Sequence, residues 1–241
     1  MNTQTTVTFI GHATVLIETP GGKRIIIDPW ITGNPAAPKS FQTGDSLGKL
    51  DVILITHFHN DHFGDAIAVA QANPDAPVVA IVEITDWIET KSVSNTVGMN
   101  KGGTVHIAGI AITMTHADHS SSLVEDDGKV IYGGEPVGYV LELEDGTVIY
   151  NSGDTALFGD MALIREFHAP DLAILPIGDH FTMDPRQAAY AARLLGVKHV
   201  LPVHYGTFPI LTGTPDMMRA YLGDTPDVLV HALAPGETLT L

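Results

Sequence analysis

Residues 52–65 read VILITHFHNDHFGD, an apolar run followed by side chains that bind metals well. The apolar residues 52–55 predict a buried strand, and three histidines and an aspartate follow within residues 57–62. In an extended backbone, side chains two positions apart point the same way, so His57 and His59 can reach one metal ion. Asp61 and His62 lie past a bend and can reach another. This spacing predicts a two-metal site at the end of a strand, with a solvated polar loop as the alternative.

Two later motifs also contain residues that bind metals well. They are Gly153-Asp154-Thr155 and Pro202-Val203-His204-Tyr205-Gly206-Thr207. The His-x-His-x-Asp-His pattern at 57–62 resembles the metallo-β-lactamase superfamily. Together the motifs resemble its branch of small metal-dependent hydrolases, related to the ascorbate-phosphate lactonases and the N-acyl-phosphatidylethanolamine phospholipases. The resemblance covers nearly the whole chain and is not specific for a substrate.

The length and composition indicate a single α/β domain over residues 1–241. At 241 residues with 44% hydrophobic content, the chain can bury one large core. The N-terminus has no basic region before an apolar stretch, and the longest apolar runs are only strand-sized, so we expect a cytoplasmic protein without a membrane span. With no cysteine, any metal must be held by imidazole and carboxylate.

The strong negative charge of the chain limits the kinds of substrate that it is expected to bind. The formal net charge of −16 repels polyanions, which makes nucleic acid an unfavourable substrate and a small molecule the expected one. Bound metal would make the site itself locally positive, so the charge describes the surface rather than the cleft. Subunit number stays open, and a homo-oligomer is possible.

The apolar patterning predicts alternating strands and helices. Predicted strands cover residues 6–10, 14–18, 23–27, 52–55, 78–82, 104–107, 110–115, 139–143, 147–151, 172–176, 200–204, 228–232 and 238–241. Predicted helices cover 65–72, 85–91, 160–167, 185–195 and 215–222, the last two opened by an Asp or Thr cap before proline. Two sheets with flanking helices, and ligands from strand ends of both, fit a four-layer αββα sandwich with its site in the groove between the sheets. Residues 31–49 form a long loop that either covers the site or is a surface excursion.

The remaining metal ligands follow other strands. Asp154 comes at a strand end beside a glycine and can bridge two ions with its two oxygens. The resemblance implies that one histidine after the strand at 110–115 completes the first ion's ligands. We assign this role to His119, with His116 as the alternative. It also implies that His204 is the last ligand of the second ion. The predicted sets are His57, His59 and His119 for the first ion, and Asp61, His62 and His204 for the second, with Asp154 bridging.

Four other residues are candidates for supporting roles. In the family an aspartate at the position of Asp28 orients ligand histidines, although Asp28 could instead start a turn before Pro29. His12 either lies near the substrate or caps a loop. Ser120 either hydrogen-bonds the substrate or forms a turn. His180 either assists a leaving group or is a structural histidine.

These residues predict a metal-dependent hydrolase. A hydroxide bridging two divalent ions, most simply zinc but also manganese, iron or nickel, would cleave an ester, lactone or phosphodiester bond of a small molecule. Asp61 is the candidate catalytic residue that orients this hydroxide or takes up its proton. The alternatives are a di-iron redox protein that handles oxygen or nitric oxide, a nuclease, and a metal-binding module without catalysis.

Overall fold

The computed structural model describes residues 4–42, 46–125, 127–223 and 227–241. Part of the predicted loop at 31–49, residues 43–45, and the first three residues of the predicted domain lie outside the described residues. Among the described residues, no helix is both long and apolar enough to cross a membrane.

Sixteen strands and six α-helices make up the described fold. The strands are β1 (Thr6–Gly11), β2 (Thr14–Glu18), β3 (Arg24–Ile27), β4 (Val52–Leu54), β5 (Val78–Ile81), β6 (Thr96–Met99), β7 (Thr104–Ile107), β8 (Ile110–His116), β9 (Ser122–Val124), β10 (Val130–Tyr132), β11 (Val137–Glu142), β12 (Val148–Asn151), β13 (Leu172–Pro176), β14 (His199–Val203), β15 (Leu229–Val230) and β16 (Thr238–Thr240). The helices are α1 (Asn60–Phe63), α2 (Ala66–Ala72), α3 (Val82–Glu89), α4 (Met161–His168), α5 (Pro185–Leu195) and α6 (Pro215–Leu222), and a short 3-10 helix covers Lys39–Phe41.

The strands form two mixed sheets of seven strands each. The first sheet has the order β16-β1-β2-β3-β4-β5-β6, and the second has the order β15-β14-β13-β12-β11-β8-β7. In each sheet an antiparallel part, β16 to β3 or β7 to β12, continues into a parallel part. Strands β9 and β10 form a separate antiparallel ribbon.

The packing of the two hydrophobic cores shows how the sheets and helices are layered. Alternate residues of β13 face opposite ways: Leu172 and Ile174 pack into a core shared with the first sheet, whereas Ala173 and Leu175 pack against α4, α5 and α6. Residues of α2 and α3 pack on the first sheet, as at Val69. The fold is therefore the αββα sandwich that the sequence predicts.

Local sequence signals account for the two capped helices. The Asp184 side chain accepts a hydrogen bond from the Gln187 backbone N–H, the Asp184 backbone N–H donates to the Gln187 side-chain oxygen in return, and Pro185 occupies the first turn. The Thr214 side chain accepts from the Met217 backbone in the same way, again before a proline. Each cap satisfies backbone N–H groups that a helix start leaves unpaired.

Several elements differ from the sequence prediction. Helix α3 begins at Val82 rather than at Thr85, because the chain passes from β5 into the helix without an intervening turn residue. Strand β6 was not predicted, since its sequence includes Gly98, a poor strand former. A Cβ on Gly98 would lie 2.8 Å from Thr85 Oγ1, so α3 packs closely against this strand. The ribbon of β9 and β10, and the short helix α1 within the histidine motif, were also not predicted.

Candidate metal centre

The predicted ligands are delivered by strand ends from both sheets. His57 and His59 follow β4, and Asp61 and His62 lie in α1 directly after them. His119 follows β8, Asp154 follows β12, and His204 follows β14. The carboxyl ends of parallel strands meet at one edge of a sheet, so these segments converge on the groove between the two sheets.

Asp154 lies at the middle of this cluster. Its side chain is 3% exposed, and its Oδ2 atom is 3.0 Å from His204 Nε2 and 3.2 Å from His62 Nε2. The same oxygen is 3.7 Å from His119 Nε2 and 3.9 Å from His57 Nε2. One buried carboxylate oxygen is thus approached by four imidazole nitrogens from three different strand ends.

Gly153 allows this approach. Its φ is 59°, and an added Cβ would lie 2.6 Å from Val137 O and 2.9 Å from Thr56 Cβ. Any larger residue would push the Asp154 loop away from the histidine motif, because the contacts are with backbone and a buried side chain. The glycine before Asp154 is therefore required by the close contact between the two sheets.

The first predicted ligand set forms one group. Donor atoms of His57, His59 and His119 lie within 4.8 Å of one another, and His57 Nε2 is 2.9 Å from His59 Nδ1. Ser120 Oγ lies 3.3 Å from His59 Nε2, at the edge of this group. A carboxylate or imidazole cluster of this spacing is the kind that a tetrahedral divalent ion occupies.

The second predicted set forms another group with one additional member. Asp61, His62 and His204 have donor atoms within 4.8 Å of one another, and His12 joins them. Asp61 Oδ2 is 3.7 Å from His204 Nε2 and 3.0 Å from His12 Nε2. His12 lies in the turn between β1 and β2, far from the histidine motif in sequence.

Asp28 and Thr56 orient two of the histidines. Asp28 accepts hydrogen bonds from the Thr56 backbone at 2.8 Å, from Thr56 Oγ1 at 2.6 Å and from His62 Nδ1 at 2.8 Å. Because the Thr56 hydroxyl donates to Asp28, it accepts from His57 Nδ1 at 3.0 Å. When neutral, both rings therefore carry their one proton on Nδ1 and present the Nε2 lone pair to the centre. This is the orienting role that the resemblance implied for Asp28.

The carboxylates of the cluster are ionised. Burial alone would raise the pKa of Asp154, but His204 and His62 outweigh burial and hold the pKa well below its usual value. Burial would likewise raise the pKa of Asp61, and the hydrogen bond from His12, with His204 Nε2 nearby at 3.7 Å, holds it well below its usual value. Two negative charges, one of them buried, therefore face the histidines at neutral pH.

The histidines divide into two kinds. Burial lowers the pKa of His57, His59 and His119 below 6.5, and it lowers the pKa of His12 to about 4. Burial also acts to lower the pKa of His204, but Asp154 outweighs it and raises the pKa to about 9. His62 follows the same pattern, and its pKa lies well above 6.5. A metal ion that binds to His62 and His204 must therefore displace protons from both of these histidines.

The donor set fits divalent metal. It consists of five imidazoles and two carboxylates, without thiolate, as the sequence predicts. His62 Nε2 is buried and makes no hydrogen bond with any described residue, although it lies 3.2 Å from Asp154 Oδ2. A buried imidazole nitrogen without a hydrogen bond, aimed at a buried carboxylate, is what a metal ligand requires.

Two sequence candidates lie outside the cluster. His116 is exposed at the end of β8, where its Nδ1 is 3.2 Å from Lys101 Nζ and its ring contacts Phe158. His180 is also exposed and packs on Phe181. The structure brings His119 rather than His116 to the ligand cluster, and it places His180 away from the ligand groups.

Sequence reasoning missed other residues at the centre. Thr56 and Thr207 stand within the quoted motifs, so their positions were a usable signal. In the sequence, Trp30 precedes the first motif and Phe208 follows the last one. In the structure their rings stack, with 6.0 Å between the ring centroids. Both rings also contact His12, at 5.2 Å and 5.7 Å, and together they form a half-exposed aromatic pair beside the second ligand group.

Comparison with known proteins adds to this geometry. A family model described as a beta-lactamase superfamily domain matches residues 23–205, a range that contains every predicted metal ligand. A UPF0173 metal-dependent hydrolase of Rubrobacter xylanophilus is 49% identical over 236 residues, which cover 98% of this chain and 96% of that protein. A UPF0173 metal-dependent hydrolase of Roseiflexus sp. is 48% identical over 240 residues, which cover 98% of this chain and 98% of that protein. The structure of Igni18, a metallo hydrolase of the archaeon Ignicoccus hospitalis, is 35% identical with a TM-score of 0.86 and covers 99% of both chains.

Proposed function

This chain belongs to the beta-lactamase superfamily and is a metal-dependent hydrolase, and we propose that it cleaves an ester, lactone or phosphodiester bond of a small molecule with two divalent ions. The observation that carries the proposal is the approach of four imidazole Nε2 atoms to within 3.0–3.9 Å of the single buried oxygen Asp154 Oδ2. A site for one ion needs only three or four donors, whereas seven donors converge here.

The ligands divide between two positions. We assign His57, His59 and His119 to one ion and Asp61, His62 and His204 to the other, with Asp154 between them. Zinc is the ion that imidazole and carboxylate donors without thiolate suit well. When bound, the ions supply Lewis acidity and lower the pKa of water toward ~7, which provides a nucleophile at neutral pH.

Asp61 acts by orientation rather than by storing a proton. Its Oδ2 atom accepts a hydrogen bond from His12 Nε2 at 3.0 Å, which favours the ionised carboxylate and fixes its orientation. An ionised carboxylate remains a good hydrogen-bond acceptor and can direct the attacking water toward the substrate. At 31% exposure, the Asp61 side chain is also the most accessible carboxylate of the centre.

Substrate reaches the centre from the side of His59, Asp61 and His119. His119 is 12% exposed and Asp61 is 31% exposed, whereas His57, His62 and His204 are at most 2% exposed. The net charge of −16 disfavours a polyanion at this opening. We therefore propose a small-molecule substrate and no nucleic acid.

Two histidines three positions apart provide a matched test. His119→Ala removes a predicted ligand, whereas His116→Ala removes a histidine of the same strand end that lies at the surface. Elemental analysis of zinc-loaded protein should give two ions per chain in the wild type and in His116→Ala, and fewer in His119→Ala. A screen of phosphodiester, lactone and thioester substrates should find an activity that His119→Ala loses and His116→Ala keeps. At most one ion in fully loaded wild type, or equal loss in both variants, would contradict the assignment.

A further inference from the structure

His12 has a hydrogen-bond partner on each ring nitrogen. The ring is fully buried, with Nδ1 3.0 Å from Thr207 Oγ1 and Nε2 3.0 Å from Asp61 Oδ2. Its backbone carbonyl accepts from the His204 backbone N–H at 2.7 Å. His12 therefore joins the turn between β1 and β2 to α1 on one side and to the loop after β14 on the other.

The direction of these hydrogen bonds follows from the chemistry of the groups. An ionised carboxylate can only accept, so His12 Nε2 carries the proton that points at Asp61. A neutral imidazole has one N–H, which leaves Nδ1 as an acceptor for the Thr207 hydroxyl. The competing acceptor for that hydroxyl, the Tyr205 carbonyl, is at 3.5 Å and is the weaker choice. Thr207 thus donates a hydrogen bond to His12, and His12 donates one to Asp61.

We propose that Thr207 is a positioning residue that holds the His12 ring through Nδ1 and, through that ring, the orientation of the Asp61 carboxylate in the metal centre. The inference rests on the proposed role of Asp61 as a metal ligand. With Oδ2 held by His12, the carboxylate cannot rotate freely, and the same oxygen lies 3.7 Å from His204 Nε2 of the second ligand group. His204 and Thr207 lie in the same loop after β14. The contacts of His12 with Thr207 and with Asp61 therefore also fix the position of Asp61, beside the first sheet, relative to His204, beside the second.

The hydroxyl of Thr207, rather than its bulk, is what this role requires. Thr207 is half-buried, and valine has nearly the same shape, so Thr207→Val keeps the packing and removes only the hydrogen bond. Thr207→Ser keeps the hydroxyl and removes a methyl group, which makes it the matched control. A packing role predicts that serine is the more harmful change, whereas the positioning role predicts that valine is.

The test reads the tautomer and the metal affinity separately. Two-bond ¹H–¹⁵N correlation spectra of zinc-loaded, ¹⁵N-histidine-labelled protein report which ring nitrogen carries the proton, and His12→Gln identifies the His12 signals. Competition with a chromogenic chelator gives the affinity for the more weakly held zinc ion. We expect Nε2–H in the wild type and in both variants, because Asp61 accepts that proton in all three. We expect the ¹⁵N shift of His12 Nδ1 to move toward that of an unbonded nitrogen in Thr207→Val alone, and the affinity to be about 10-fold weaker in Thr207→Val alone, as for other residues that orient metal ligands.

The outcomes separate this inference from the proposed function. If wild type binds two zinc ions and hydrolyses a substrate, but Thr207→Val keeps the wild-type His12 Nδ1 shift or the wild-type zinc affinity, the positioning role is overturned and the proposed function stands. A His12 Nε2 that binds zinc directly, without a proton, also overturns it. Wild-type protein that fails to bind a second ion would overturn both.

Discussion

The substitution Asp154→Asn removes a negative charge that two buried imidazoles share, and it leaves the shape of the side chain nearly unchanged. Asp154 Oδ2 lies 3.0 Å from His204 Nε2 and 3.2 Å from His62 Nε2. In protein without bound metal, burial acts to lower the pKa of His204, and Asp154 outweighs burial and raises that pKa to about 9. Asparagine cannot supply this attraction, so we expect the pKa of His204 to fall below 6.5 in the variant.

The magnitude follows from proton linkage. The pKa of His204 is about 9 in the folded chain against an ordinary value of 6.5. A difference of about 2.5 pH units corresponds to roughly 3 kcal/mol. Because the folded pKa is the higher one, this stability is fully present below pH 6.5 and is lost as pH rises through about 9. His62 adds to the loss in the same direction, since its pKa also lies well above 6.5.

Urea unfolding of chelator-treated protein measures the effect. The free energy of unfolding of wild type should fall by about 3 kcal/mol or more between pH 6.5 and pH 9.5. Asp154→Asn should lose most of this dependence, because its His204 is neutral in both states over the range. Asp75→Asn, at an exposed aspartate that pairs with Lys49 on the surface, is the control and should keep the wild-type slope. An equally steep loss in Asp154→Asn would refute the reasoning.

Three further predictions concern activity, stability and partner choice. Asp61→Asn should keep the fold and lower turnover by about 10²-fold or more, as measured by steady-state kinetics at full metal loading, and near-normal turnover would defeat the proposed role of Asp61. Tyr139→Phe removes the hydroxyl that donates to Ile55 O at 2.8 Å and should lower the free energy of unfolding by about 1–3 kcal/mol. Tyr132→Phe, at an exposed tyrosine, is its control, and an equal loss in both would contradict the argument. Metal-loaded protein with its net charge of −16 should not bind oligonucleotides, and tight binding that weakens steeply with salt would instead favour a nuclease.

Much of the fold could be predicted because its signals are local. The strands that lead to the metal centre are continuous apolar runs, and α5 and α6 begin at a cap followed by proline, so each element is marked within a few residues. The elements that were missed lack such marks. Strand β6 contains Gly98, and the ribbon of β9 and β10 has only three residues in each strand.

The choice between His116 and His119 shows where local signals end. Both histidines follow the same apolar pattern, and spacing alone does not separate them. In the structure β8 runs on to His116, which pairs with Val137 and points to solvent, and the chain then turns and brings His119 to Asp154. The strand length is set by pairing with β11, which lies more than twenty residues later in the chain.

The sequence by itself determined the ligand types and the compact motif of residues 57–62, because metal chemistry and strand periodicity act over a few neighbouring residues. It also determined that the ligands follow strand ends, and that thiolate takes no part. Only the tertiary structure decided which atoms meet: the four nitrogens around Asp154 Oδ2, the bond from His62 to Asp28, and the contact of His12 with both Asp61 and Thr207. These contacts join residues up to 195 positions apart, and they exist because the two sheets pack face to face.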